Sequence, residues 1–176
     1  MYPNSMLTIV LNILMAVNVW SAPHPTTGTT MINQISNGHV FSQFGFQLQG
    51  RMQIPWILEQ TDTKNREFNL VYGSGRLNLK SEVVAANVQL DQYIKKYLKD
   101  FSLYGFKVSN IDNQTKTNAP HIVLDVEKKN NSVRAKQYFY MHKQKVLIAT
   151  CTDDVESFER TAHLCQRFVD EIHWLD

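Results

Sequence analysis

HIVLDVEKKNNSVRAKQYFYMHKQKVLIATCTDD, residues 121–154, holds three strand patterns in immediate succession. In His121–Glu127 the apolar residues Ile122, Leu124 and Val126 share one face, and His121, Asp125 and Glu127 share the other with Val123. That period of two marks a strand with one face buried. Lys128–Ser132 is a short polar hairpin loop, so Val133–Met141 is expected to pair back on the first strand. His142–Lys145 is a second turn, and Val146–Cys151 is the last strand. Connections this short leave only antiparallel neighbours, which makes a three-stranded meander.

Downstream, Asp153 or Asp154 is placed to cap a helix, with Phe158, Ala162, Cys165, Phe168, Val169 and Ile172 as its buried stripe. Glu156, Glu159, Arg160 and Arg167 fall outside that stripe. Upstream lies another helix, capped by Asn87, with Leu90, Ile94, Tyr97, Leu98 and Phe101 at helical spacing and Gly105 as its stop. Phe106–Ile111 then starts a strand, and Asp112–Asn118 is a polar loop. Arg66–Tyr72 and Arg76–Val84 read as strands joined through Gly73-Ser74-Gly75. That turn lacks the Lys-Ser/Thr ending of a phosphate loop. Met52–Leu58 contains Pro55, whose missing backbone donor confines it to an edge or an irregular segment. Phe44, Phe46 and Leu48 alternate with polar residues as a first strand. The order of strands, helix, three strands and helix predicts an α+β fold, an antiparallel sheet flanked by helices.

Several local signatures in this order belong together: Gly45-Phe46, Pro55-Trp56, Leu90-Asp91-Gln92-Tyr93, Ala119–Asp125, Tyr138-Phe139-Tyr140, Val146–Thr152 and a terminal helix over Ser157–Trp174. In pattern and order, residues 40–176 resemble the PsbP/DcrB-like superfamily, which also takes in Ran-binding nuclear proteins and Eag-type chaperones of type VI secretion. The resemblance implies a PsbP/DcrB-like sandwich whose relatives mostly work by binding other proteins, and within the group the leader described below points to an exported bacterial branch. It supplies no motif that transfers a functional residue to this chain.

Residues 1–50 contain no Asp, Glu, Lys or Arg, and the first charged side chain is Arg51. Met6–Trp20 is an apolar run broken only by Thr8, Asn12 and Asn18, shorter than the about 20 apolar residues of a membrane span. With small residues at Ser21 and Ala22 it reads as a secretory signal over residues 1–22, although its first residues carry no Lys or Arg. An uncleaved anchor or a buried N-terminal helix are the alternatives. Residues 23–39 are rich in Pro, Thr, Gly and Asn and read as a flexible linker, leaving one domain over 40–176. The location expected is periplasmic or secreted, with no stable transmembrane insertion once the leader is cleaved.

The 176 residues carry a net charge of +2, too small and too scattered for a nucleic-acid binder. Lys95, Lys96 and Lys99 lie among Asp91 and Asp100 and form a solvated helix face. His24, His39, His121, His142, His163 and His173 lack metal-ligand spacing and read as surface residues; no metal, cofactor or catalytic group is assigned. Asp125 and Glu127 share a strand face and could serve as acid and base, but alternation makes that face a solvent face. Asn113-Gln114-Thr115 and Asn130-Asn131-Ser132 match glycosylation acceptors, relevant only in a eukaryotic secretory route.

Cys151 ends the last strand and Cys165 lies on the stripe of the helix that packs back on it. In an oxidising compartment two such cysteines are expected to pair; two buried thiols are the alternative. The function expected is that of a non-enzymatic, exported accessory or binding protein acting through contacts with an unknown protein partner. A small-molecule carrier, or a secreted hydrolase with an unrecognised site, is the alternative.

Overall fold

The computed structural model describes Ile35 and residues 38–50, 55–62, 67–103, 106–114, 121–128 and 133–175. The expected leader, His24, most of the tether, Gly105 and the loop acceptor Asn130 lie outside these residues.

Seven antiparallel strands form the main sheet: β3 (Ile57–Asp62), β4 (Glu67–Tyr72), β5 (Gly75–Val83), β6 (Phe106–Gln114), β7 (His121–Lys128), β8 (Val133–His142) and β9 (Lys145–Asp154). Their spatial order is β3-β4-β5-β9-β8-β7-β6. The expected meander is therefore correct but one strand longer, because β6 pairs with β7 along its length. The polar Asp112–Asn118 segment is strand as far as Gln114, held by pairing to His121–Val123. The segment containing Pro55 leads into β3, which is an edge strand, as a residue without a ladder donor requires. Central β9 is buried without a break from Val146 to Asp153 because both its faces are covered.

Helices α1 (Leu90–Leu103) and α2 (Phe158–Asp170) lie on opposite sides of the sheet. On the α1 side, Tyr93, Ile94, Tyr97 and Phe101 pack against Ile122, Leu124, Val126, Phe139 and Ile148. On the α2 side, Cys165, Phe168 and Val169 pack against Leu77, Leu79, Leu147 and Ala149. α1 begins later than the Asn87 cap predicts. Gln89 precedes its first residue, and the Gln92 side chain accepts from the Gln89 N–H at 3.3 Å, half of a capping box.

A second sheet, β1 (Val40–Phe41), β2 (Phe46–Leu48) and β10 (Ile172–Trp174), lies on the α2 side. Phe44, Phe46 and Leu48 are all buried, but their alternation serves this small sheet and not the main one. The turn into β2 places Gly45 at φ +80°, where a side chain would be strained. Ile172 and Trp174, expected on the terminal helix, instead pair with Leu48 and Phe46. Ile35, expected in the tether, is 2% exposed and donates its N–H to the Trp56 carbonyl at 3.0 Å. The ordered fold thus includes a residue upstream of Val40.

Neither Asp153 nor Asp154 caps α2. Pairing to β8 extends β9 through Asp154, and the cap position is Ser157, which makes no side-chain capping bond. Asp153 is buried, and one carboxylate oxygen accepts from the Thr161 hydroxyl at 2.5 Å while the other accepts from the Asp154 N–H at 2.8 Å. It thereby ties the end of β9 to the first turns of α2. Gly75 faces the same helix: a Cβ there would meet the Thr161 methyl at 2.6 Å, so the glycine permits the approach.

Cys151 and Cys165 form a disulfide with Cα atoms 6.2 Å apart, inside the permitted range. Both residues are fully buried. Among the described residues no helix is long and apolar enough to cross a membrane.

Candidate functional site

α1 packs against β6 and β8, and α2 against β9, β8 and β5. Each helix therefore covers one part of its side of the sheet. On the α1 side, that helix reaches only the end of β5, where Tyr93 bonds to Glu82, and among the described residues no helix packs extensively on β3, β4 or the start of β5. The side chains there alternate with Leu70, Leu77 and Leu79, which point into the α2-side core. They are Glu67, Asn69, Val71, Arg76, Asn78, Lys80 and Glu82, joined by Glu59 at a bulge in β3.

Cross-strand pairs fix this polar half-face. Arg76 donates to Glu59 at 2.8 Å, and Asn78 donates to Asn69 at 2.8 Å. Ile57 and Val71, directly opposite each other, add a half-buried apolar patch. Next to α1 the face becomes buried and ionic. Lys80 lies 3.9 Å from Glu67 and 3.5 Å from Glu82, and Tyr93 donates to Glu82 at 2.8 Å. Burial raises the Glu82 carboxyl above its ordinary range, opposed by the Tyr93 hydrogen bond and the charges of Lys80 and Lys96. Gln137 donates to Thr150 at 3.1 Å and to the Tyr97 hydroxyl at 3.3 Å, a second polar tie between α1 and the sheet.

The opposite side holds a different polar group. His121 was expected at the surface but is 1% exposed, because β7 is covered there as well. Its ring lies 4.4 Å from that of Tyr140 and 6.0 Å from that of Tyr138. Both tyrosines are fully buried, and their hydroxyls have no hydrogen-bond partner among the described residues. Burial, with the charge of Asp170 nearby, pushes both phenols up, so both stay neutral. Asp125 adds to this at Tyr138. A buried hydroxyl without a partner costs about 1–3 kcal/mol. Tyr138→Phe and Tyr140→Phe are thus expected to match or exceed the wild type in chemical denaturation. Destabilisation by more than about 1 kcal/mol would mean that these hydroxyls have a bound acceptor.

The other residues with chemical potential are dispersed. His142 stacks on Trp174 at 5.0 Å, His39 meets the Phe41 ring edge at 4.7 Å, His173 is in β10, and His163 is exposed on α2. Asp125 pairs with Lys136 at 3.3 Å and accepts from Asn110 at 3.3 Å, while Glu127 is exposed. Among the described residues no group of three or more His, Cys, Asp and Glu could hold a metal ion. Sequence reading brought together only the two cysteines. It missed the tyrosine pair, whose signal was the spacing of two in Tyr138-Phe139-Tyr140, and the ionic cluster, whose signal was Lys80-Ser81-Glu82 inside an apolar strand.

No protein-family model matches the chain, and neither does any curated protein. Among solved structures, the chain is similar to the cyanobacterial PsbP of Synechocystis sp. PCC 6803, with a TM-score of 0.59 and 10% identity, over 84% of this chain and 96% of that one. A Pseudomonas aeruginosa protein of unknown function is matched at a TM-score of 0.48 and 14% identity, over 55% of this chain and 69% of that one. An antiparallel seven-stranded sheet between two helices, matched over nearly all of the cyanobacterial protein, gives this chain a PsbP-like α+β fold.

Proposed function

We propose that the chain is an exported, non-enzymatic accessory protein that binds a partner protein through the polar half-face of β3–β5. The observation that carries this reading is a preorganised sheet surface beyond the edge of α1, on which, among the described residues, Arg76–Glu59 and Asn78–Asn69 hold polar groups in position beside Ile57 and Val71. Groups already ordered cost little further entropy on association.

Two features support the face as the docking surface over the sheet edges. β3 is bulged between Leu58 and Gln60, and β6 between Val108 and Asn110, at the two outer strands. Bulges and exposed charges such as Lys107 and Asp112 discourage the addition of a further strand. The exposed apolar residues Val40, Tyr72, Val83, Ile111, Val155 and Leu175 lie on different elements or at their ends and form no stripe on a single strand or helix. Export is supported by the leader pattern and the buried disulfide, a bond that persists in oxidising compartments.

A carrier reading is favoured by one observation, the buried Tyr138 and Tyr140 hydroxyls, which would suit a small hydrogen-bond acceptor. Native mass spectrometry of the chain, recovered without denaturant from the exported fraction of its own cells, separates the two. A complex heavier by the mass of a protein is the expected result. A small-molecule increment with no protein complex would overturn the partner reading in favour of the carrier.

A further inference from the structure

We propose that the partner meets the β3–β5 half-face with an uncharged segment, rich in Asn, Gln, Ser or Thr and carrying one aliphatic side chain. That segment docks on a row of neutral amides and makes no ion pair with the face. The inference rests on the half-face being the docking surface and adds the chemistry of what docks there.

The row crosses four strands. Asn69 of β4 stands opposite Asn78 of β5, Asn78 opposite Thr150 of β9, and Thr150 opposite Gln137 of β8. Its inner end is buried beside α1, where Gln137 donates to Thr150 and to the Tyr97 hydroxyl. Its outer end, Asn69 and Asn78, is partly exposed. Asn78 donates to Asn69 at 2.8 Å, which engages one N–H and one oxygen. A carboxamide has two N–H groups and an oxygen with two lone pairs. Among the described residues the Asn69 amino group and the Asn78 oxygen have no further side-chain partner, so a donor and an acceptor stand side by side. A side-chain amide, a hydroxyl or a peptide group complements such a pair.

Charged side chains flank the row and are paired with one another. To one side of Asn78 along β5, Arg76 lies 2.8 Å from Glu59. To the other, Lys80 lies 3.9 Å from Glu67 and 3.5 Å from Glu82. Each of these charges thus has an opposite charge on the same face. A charged partner group would either lose its hydration against a face already neutralised, or break a pair and strand its other member. A neutral amide incurs neither cost. Ile57 and Val71, directly opposite each other and next to Arg76, provide the contact for the aliphatic side chain.

Size-exclusion chromatography of the exported fraction, with the tagged chain followed at about 0.05 and 0.5 M sodium chloride, reads the charge of the contact. The expected result is a complex whose yield changes by less than about twofold between the two salts. Asn69→Asp and Asn69→Lys, which place opposite charges in the neutral row, are each expected to weaken the complex by about tenfold. A complex that dissociates at the higher salt overturns the inference while leaving the half-face in place. So does a complex weakened by one of the two substitutions and strengthened by the other, because the partner then carries charge. A complex indifferent to both of them and to Arg76→Glu overturns the half-face itself, and this inference with it.

Discussion

Replacing Cys151 and Cys165 together by alanine is expected to lower the unfolding free energy by about 3 kcal/mol, the cost of releasing a loop of this length in the unfolded chain. The two residues are 14 apart in sequence. The bond also joins central β9 to α2, so its loss removes the covalent link between the sheet and the helix that covers it. Both sulfurs belong to fully buried residues, so alanine adds a small cavity cost. Guanidinium unfolding of the oxidised chain beside the double variant measures the difference. A loss below about 1 kcal/mol would show that the packing of Phe158, Phe168 and Val169 holds the helix without the bond.

Phe41→Ala is expected to cost about 3–5 kcal/mol, the range for removing a large side chain from a packed core. Phe41 stands in a strand of only two residues, which by itself has negligible stability. Its ring, however, joins the layers. It stacks on Phe46 at 4.8 Å, meets Phe68 of β4 edge-on at 5.4 Å and meets Phe168 of α2 edge-on at 6.0 Å. Removing it opens a cavity where small sheet, main sheet and helix meet. The same unfolding experiment applies, with the substitution made in the oxidised chain. A change within about 0.5 kcal/mol, as at a surface position, would mean that the small sheet is not part of the cooperative core.

The strands β7, β8 and β9 were legible because each is long enough for alternation to repeat, and because their turns allow no other pairing. The disulfide was legible for a related reason: a helix that follows a strand directly packs back on it, which brings Cys151 and Cys165 together. The small sheet was not legible. Its strands are two or three residues long, too short to show a period, and β10 was absorbed into the helical pattern that precedes it. Asp153 and Asp154 read as caps because acidic residues before an apolar run usually cap, but pairing with β8 carries the strand past both. His121 read as a surface residue, and nothing local marked Lys80 or Glu82 as buried. Their burial comes from packing against neighbouring strands and helices, which no local pattern records. For the same reason the half-face of β3–β5 emerges only once the placement of α1 over β6 and β8 is known.

Site-specific photo-crosslinking in the cells that make the protein tests the central claim most directly. A crosslinking side chain is placed at Asn78 on the half-face, at Lys95 on the outer surface of α1, or at His163 on the outer surface of α2. A protein adduct formed from Asn78 alone, and lost when Arg76→Glu is added, is the predicted result. The Arg76–Glu59 pair is exposed and worth about 0–1 kcal/mol, so its reversal leaves the fold in place. Adducts formed from Lys95 or His163 with none from Asn78 would contradict the assignment of β3–β5 as the binding face.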